Sequence, residues 1–146
     1  MISSSSVSGS VLKIPYYKVL SEDKDLTFSP QLFADKKVIL QTEYRQAYKN
    51  SDLITDIGFL KDESQTKSHF FYNLQGKKDN SNFELNLEKV SNDTFLKLNK
   101  IESALIDSYS DLHSYLRYDK ITENSYLSSS LEIFENLNEK QSDRFE

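Results

Sequence analysis

Phe83-Glu84-Leu85-Asn86-Leu87-Glu88 reads apolar, polar, apolar, polar without a break. Alternate side chains of a strand point to opposite faces, so this stretch makes a ribbon with one greasy side and one charged side. A helix would instead scatter the two carboxylates around its circumference. Val38 to Tyr48 repeats the pattern, with Val38, Leu40, Thr42, Tyr44 and Tyr48 on one parity and Gln41, Glu43 and Arg45 on the other.

Working outward, the same period recurs less cleanly at Val11 to Leu20, Leu26 to Phe33, Leu53 to Lys61, Ser68 to Gln75, Leu112 to Tyr118 and Ser125 to Glu135. The separators are turn-forming runs, among them Ala34-Asp35-Lys36-Lys37, Lys49-Asn50-Ser51-Asp52 and Thr122-Glu123-Asn124. Strands joined by short polar turns make an antiparallel, up-and-down meander, here of about eight strands in an all-β chain. Residues 1–10 are expected to be irregular. Between Asn92 and Ser110, Leu98, Ile101 and Leu105 fall at helical spacing instead, so residues 92–111 are expected to form a longer loop with a helical turn.

Composition narrows the function classes. The 146 residues carry a formal charge of −5, so nothing in the overall balance favours a polyanionic partner such as nucleic acid. Apolar runs are too short for a membrane-spanning helix, yet a transmembrane β-barrel hides its grease in alternate positions, so a mean hydropathy of −0.62 is compatible with spanning. Cysteine is absent, and Met1 to Ser6 has neither the basic nor the apolar region of a secretory signal. His69 and His113 sit at no metal-ligand spacing, no Ser-His-acid order is present, and three glycines leave no room for a phosphate loop. Neither catalysis nor a cofactor is expected.

Both prolines, Pro15 and Pro30, interrupt segments that otherwise read as strand. Proline lacks the N–H that a ladder bond needs, so each either protects an edge or weakens pairing, at roughly 1 kcal/mol per missing bond. Aromatic residues cluster near strand ends, at Tyr44, Tyr48, Phe59, Phe70, Tyr118 and Tyr126 among others, where rings with one wet end suit the two interfaces of a bilayer as well as they suit any strand.

Three motifs occur in order: Ile14-Pro15-Tyr16-Tyr17, then Asp25-Leu26-Thr27-Phe28-Ser29-Pro30, then Glu43-Tyr44-Arg45. Together they resemble the opening of the β-barrel in the LPS-assembly protein LptD family, also called organic solvent tolerance proteins. Its pattern is Pro-Tyr-Tyr, Asp-x-Thr-x-Thr/Ser-Pro and Glu/Asn-Phe/Tyr-Arg. Lys89-Val90-Ser91-Asn92-Asp93-Thr94-Phe95 is similar to a later Val-Ser-Asp segment of the family, with Asn92 as a departure. The resemblance covers most of the chain and is weakest from Leu98 to Asp111.

The resemblance implies a part of the outer-membrane translocon that inserts lipopolysaccharide into the outer leaflet of Gram-negative cells. Its implied partners are lipopolysaccharide, an LptE-like lipoprotein plug inside the barrel, and the periplasmic bridge proteins that deliver the lipid. Pro15 and Pro30, with Tyr16 and Tyr17, then fall at a lateral gate between the first and last strands. Glu43, Arg45, Asp56, Glu84, Glu88 and Arg117 are expected to face the wet lumen. Leu40, Tyr44, Ile57, Phe59, Phe83, Leu85 and Leu87 are expected to face lipid. Family members also carry a leader, a periplasmic domain and about 26 barrel strands, so residues 1–146 are expected to be a fragment, an incomplete barrel whose two edges would lie unpaired. The alternative is a soluble β-sandwich or small barrel that binds a ligand, in which the same apolar parity is buried against a second sheet.

Overall fold

The computed structural model describes residues 2–5, 9–34, 36–61, 65–140 and 143–145. They form one antiparallel sheet: β1 (Ile2–Ser5), β2 (Gly9–Lys13), β3 (Tyr16–Ser21), β4 (Lys24–Phe33), β5 (Val38–Ala47), β6 (Ser51–Lys61), β7 (Thr66–Lys78), β8 (Ser81–Val90), β9 (Asp111–Ile121) and β10 (Tyr126–Asn136). From β4 to β10 each strand pairs with the next in sequence, the up-and-down meander expected from the period. The sheet stays open, with no pairing between its first and last strands among the described residues.

Two refinements concern the start of the chain. Residues 1–10, expected to be irregular, include a short hairpin in which Ile2–Ser5 pairs with residues 9–12. β2 and β3 both pair with β4, so they are two halves of one strand, separated only by Ile14 and Pro15.

Cross-strand register carries the two parities through the whole sheet. Glu43 lies opposite Asp56, Asp56 opposite Phe71, Phe71 opposite Glu88, and Glu84 opposite Arg117. Facing residues share a side of the sheet, so the six polar residues assigned to a lumen lie on one face. Leu40 opposite Phe59, Ile57 opposite Phe70, and Tyr72 opposite Leu87 lie on the other. That apolar face is uncovered: Leu12, Tyr16, Leu32, Leu40, Phe59, Phe70, Leu87, Leu116, Leu127 and Leu131 are all exposed. Among the described residues no second sheet packs against it.

The turns alternate between two rims. The far rim carries the turns after β3, β5, β7 and β9, and β4, β6 and β8 end at the near rim. On the apolar face, Phe59 and Phe70 sit towards the near rim, and Tyr44 and Tyr118 towards the far one.

The core lies on the polar face near the near rim. There the 91–110 segment folds back over the sheet and buries Phe95, Leu96 and Ile101 against Phe33, Ile39, Leu60 and Phe71 of four consecutive strands. Each such side chain contributes about 1.5–3 kcal/mol by leaving water. The helical turn is shorter than the leucine spacing predicts: α1 spans Phe95–Asn99, and Leu98 points to solvent. Asn92 begins it, its Oδ1 accepting from the Thr94 amide (3.2 Å) and hydroxyl (2.9 Å). An aspartate would accept the same two bonds, so the departure at Asn92 keeps the local chemistry. Lys100, in the left-handed region with φ 46°, ends the turn.

On the apolar face Gly76 lies beneath the Phe83 ring, and a Cβ there would come within 2.4 Å of it. We expect Gly76→Val to cost about 1–3 kcal/mol through overpacking, and Phe83→Leu to return much of that loss in the double variant. Strictly additive unfolding energies for the two changes would contradict this packing.

Candidate functional site

Ile14 and Pro30 face each other in the opening strand pair. The Ile14 amide donates to the Pro30 carbonyl (3.1 Å). In an antiparallel ladder such a residue pair exchanges two bonds, and Pro30 has no N–H to return the second. The missing bond therefore lies between the first strand and β4. The ladder between β4 and β5 loses nothing, because Pro30 and Leu40 meet there as a pair that exchanges no backbone bonds.

Pro15, next in line, turns its nitrogen the other way, towards the outer edge of the first strand. The prolines thus act on two different seams, one inside the opening pair and one on its free side. Register is nevertheless unbroken: Lys13 faces Gln31 before the interruption and Tyr16 faces Phe28 after it, with no residue gained or lost. Tyr17 projects on the polar side and Tyr16 on the apolar side, and both are exposed.

The polar face is laced by side chains. Arg45 binds Asp25 through two nitrogens (2.9 and 3.1 Å). The Tyr115 hydroxyl donates to Glu84 (2.6 Å), the Arg117 guanidinium lies over the Tyr115 ring, and Arg117 also donates twice to Glu132 (3.1 and 3.2 Å). Glu43, Arg45, Glu84, Glu88 and Arg117 are half-buried or exposed on this face.

Asp56 departs from the expectation of a wet lumen residue: it is fully buried (0 %), because the 91–110 segment covers it. Its Oδ2 accepts from Gln41 Nε2 (2.8 Å) and its Oδ1 meets His69 Nε2 (3.2 Å). Gln41 also donates to the Glu102 carbonyl (2.9 Å), so the cluster fastens the segment to the sheet. His69 lies flat over Gly58, where a Cβ would approach its ring to 2.3 Å.

Two features escaped the sequence reading. His69, set aside for want of ligand spacing, is the buried end of this cluster, and only its parity with Asp56 hints at that. The β8–β9 ladder stops at Asn86 and Tyr115. Beyond it side chains replace backbone bonds: Glu88 accepts the His113 amide (3.0 Å), Asn86 donates to the His113 carbonyl (2.7 Å), and Ser114 accepts the Glu88 amide (2.9 Å). The strands part there to release the 91–110 segment.

The described residues contain no cluster of three or more His, Cys, Asp or Glu suited to a metal ion. No protein-family model matches the chain, and no curated protein is significantly similar to it.

Proposed function

We propose that this chain forms the opening strands of an outer-membrane β-barrel of the LptD kind, acting in lipopolysaccharide export as a wall segment whose first strand pair can part. The work is mechanical, with no covalent step. Lipopolysaccharide would pass along the polar face, the lipoprotein plug would occupy the same interior, and the periplasmic bridge would deliver from the near rim.

The observation that carries this reading is the uncovered apolar face, continuous from the first strand to β10, backed by a polar face on the same strands. The strands from β4 onward are 10–13 residues long, enough to cross a hydrocarbon layer when tilted. The bond missing between Ile14 and Pro30 lowers the cost of parting the first pair.

The cysteine-free sequence makes a direct test clean. Single cysteines carrying a fluorophore at Leu40 or Phe59 should be quenched by lipids bearing a quencher on their chains, and labels at Asp52 or Gln75 should not. Equal quenching of both sets, or cooperative folding in plain buffer with the first set shielded, would overturn the reading.

Pro30→Thr should create an amide at position 30 that exchanges slowly with solvent, bonded to Ile14, and should reduce lipopolysaccharide delivery in cells. In the isolated chain Pro15→Thr should create a fast-exchanging amide. Global stability should change by under about 1 kcal/mol, since the new bond is offset by the freer unfolded chain. Equal protection at the two positions would refute the assignment of the prolines to separate seams.

A further inference from the structure

We infer that the 91–110 segment is a strap that restrains the first strand through a releasable clasp between Lys13 and Glu102; this rests on the reading that the first strand pair parts. The strap leaves the sheet at Val90, crosses β7, β6, β5 and β4 on the polar face, and reaches β2. Its grip on the middle strands is apolar and deep, through Phe95, Leu96 and Ile101, and the Gln41 bond then fixes the backbone at Glu102.

Its grip on the first strand is different in kind. Lys13 Nζ meets Glu102 Oε2 at 2.7 Å, with the glutamate side chain 77 % exposed. Val11 adds a partly buried apolar contact. A half-exposed ion pair is weak and salt-sensitive, whereas burial of three large apolar side chains is not. The strap therefore stays on β4–β7 while its hold on β2 can be broken.

Position gives the clasp its consequence. Lys13 directly precedes Ile14, whose partner Pro30 cannot return a ladder bond. The ion pair thus secures the first strand beside the place where backbone pairing is one bond short. With the clasp closed, the first strand moves with the strap, and the strap moves with the sheet. With it open, the strand from Ile14 onward loses one of the contacts that tie it to the strap, at the point where its ladder is already one bond short.

Hydrogen exchange on the full chain, folded in detergent and followed by mass spectrometry over residues 14–21, tests this. The Tyr16 and Lys18 amides, which share the parity of Ile14, face β4 and report on the pair. Glu102→Lys should speed their exchange about three- to fivefold, the factor expected for a half-exposed ion pair, and leave β6 and β7 unchanged. High salt should do the same to the unaltered chain, and the swapped pair Lys13→Glu with Glu102→Lys should restore slow exchange. Glu102→Gln, nearly isosteric at an exposed position, provides a second variant should the charge reversal fold poorly.

Unchanged exchange over residues 14–21 in both Glu102 variants, or loosening spread evenly over the sheet, would overturn the clasp. Exchange does not depend on what the wall transports. If exchange responds while lipopolysaccharide delivery in cells ignores the same variants, the clasp stands and the export reading fails.

Discussion

Phe95→Ala should undock the 91–110 segment, at a cost of about 3–5 kcal/mol, the range for emptying a buried aromatic site. Phe95 is 1 % exposed and lies among Ile39, Leu60 and Phe71, with the His69 ring 5.7 Å away. The strands themselves are held by backbone ladders, so the loss should be local. Protease should cut the segment around Lys97 to Lys100 in the variant, while amides in the middle of β6 and β7 keep their protection. Equilibrium unfolding in detergent supplies the energy, and a loss below about 1 kcal/mol would mean that the segment does not depend on this anchor.

Asp56→Ala should cost about 2–4 kcal/mol, because it leaves buried groups without partners. His69 Nε2 loses its acceptor, and its Nδ1 already has no partner among the described residues. Gln41 Nε2 keeps, among the described residues, the Glu102 carbonyl. Asp56→Asn should be milder, since one carbonyl oxygen can still accept, although its amide must then face a donor. The cluster couples to the strap, so both changes should loosen residues 101–104 before they loosen the strands. Hydrogen exchange at the Ile101 amide, bonded to the Leu96 carbonyl (3.1 Å), measures that order. A variant that loses strand protection first would show that Asp56 supports the sheet rather than the strap.

Strand number and facing were legible because both depend on a period of two. Each strand's facing follows from its own alternation of charged and apolar residues, which is why Glu84 and Arg117, 33 positions apart and separated by the 91–110 segment, are legible as sharing a side. Depth was not legible. Asp56 shares its parity with Glu43, yet one is sealed and the other half-open, and the difference comes from Ile101 to Ala104, nearly fifty residues downstream. The helical spacing of Leu98, Ile101 and Leu105 misled for a related reason. In a turn of five residues that docks by its first two side chains, contacts rather than period decide which leucine is covered. The prolines were visible as breaks, but the direction of each missing bond needed the Ile14 to Pro30 contact.

The unbroken alignment across Ile14 and Pro15 limits how the opening pair can move. Sliding the first strand by one residue would turn Lys13 towards the greasy side and Leu12 towards the wet one, while β4 stays fixed by its pairing with β5, so a one-residue slip is heavily disfavoured. Peeling apart keeps every side chain on its own face, and strands that close again in this register meet tooth for tooth. If the pair parts as proposed, such a joint would re-form without searching for its place, like a zip whose slider never leaves the track.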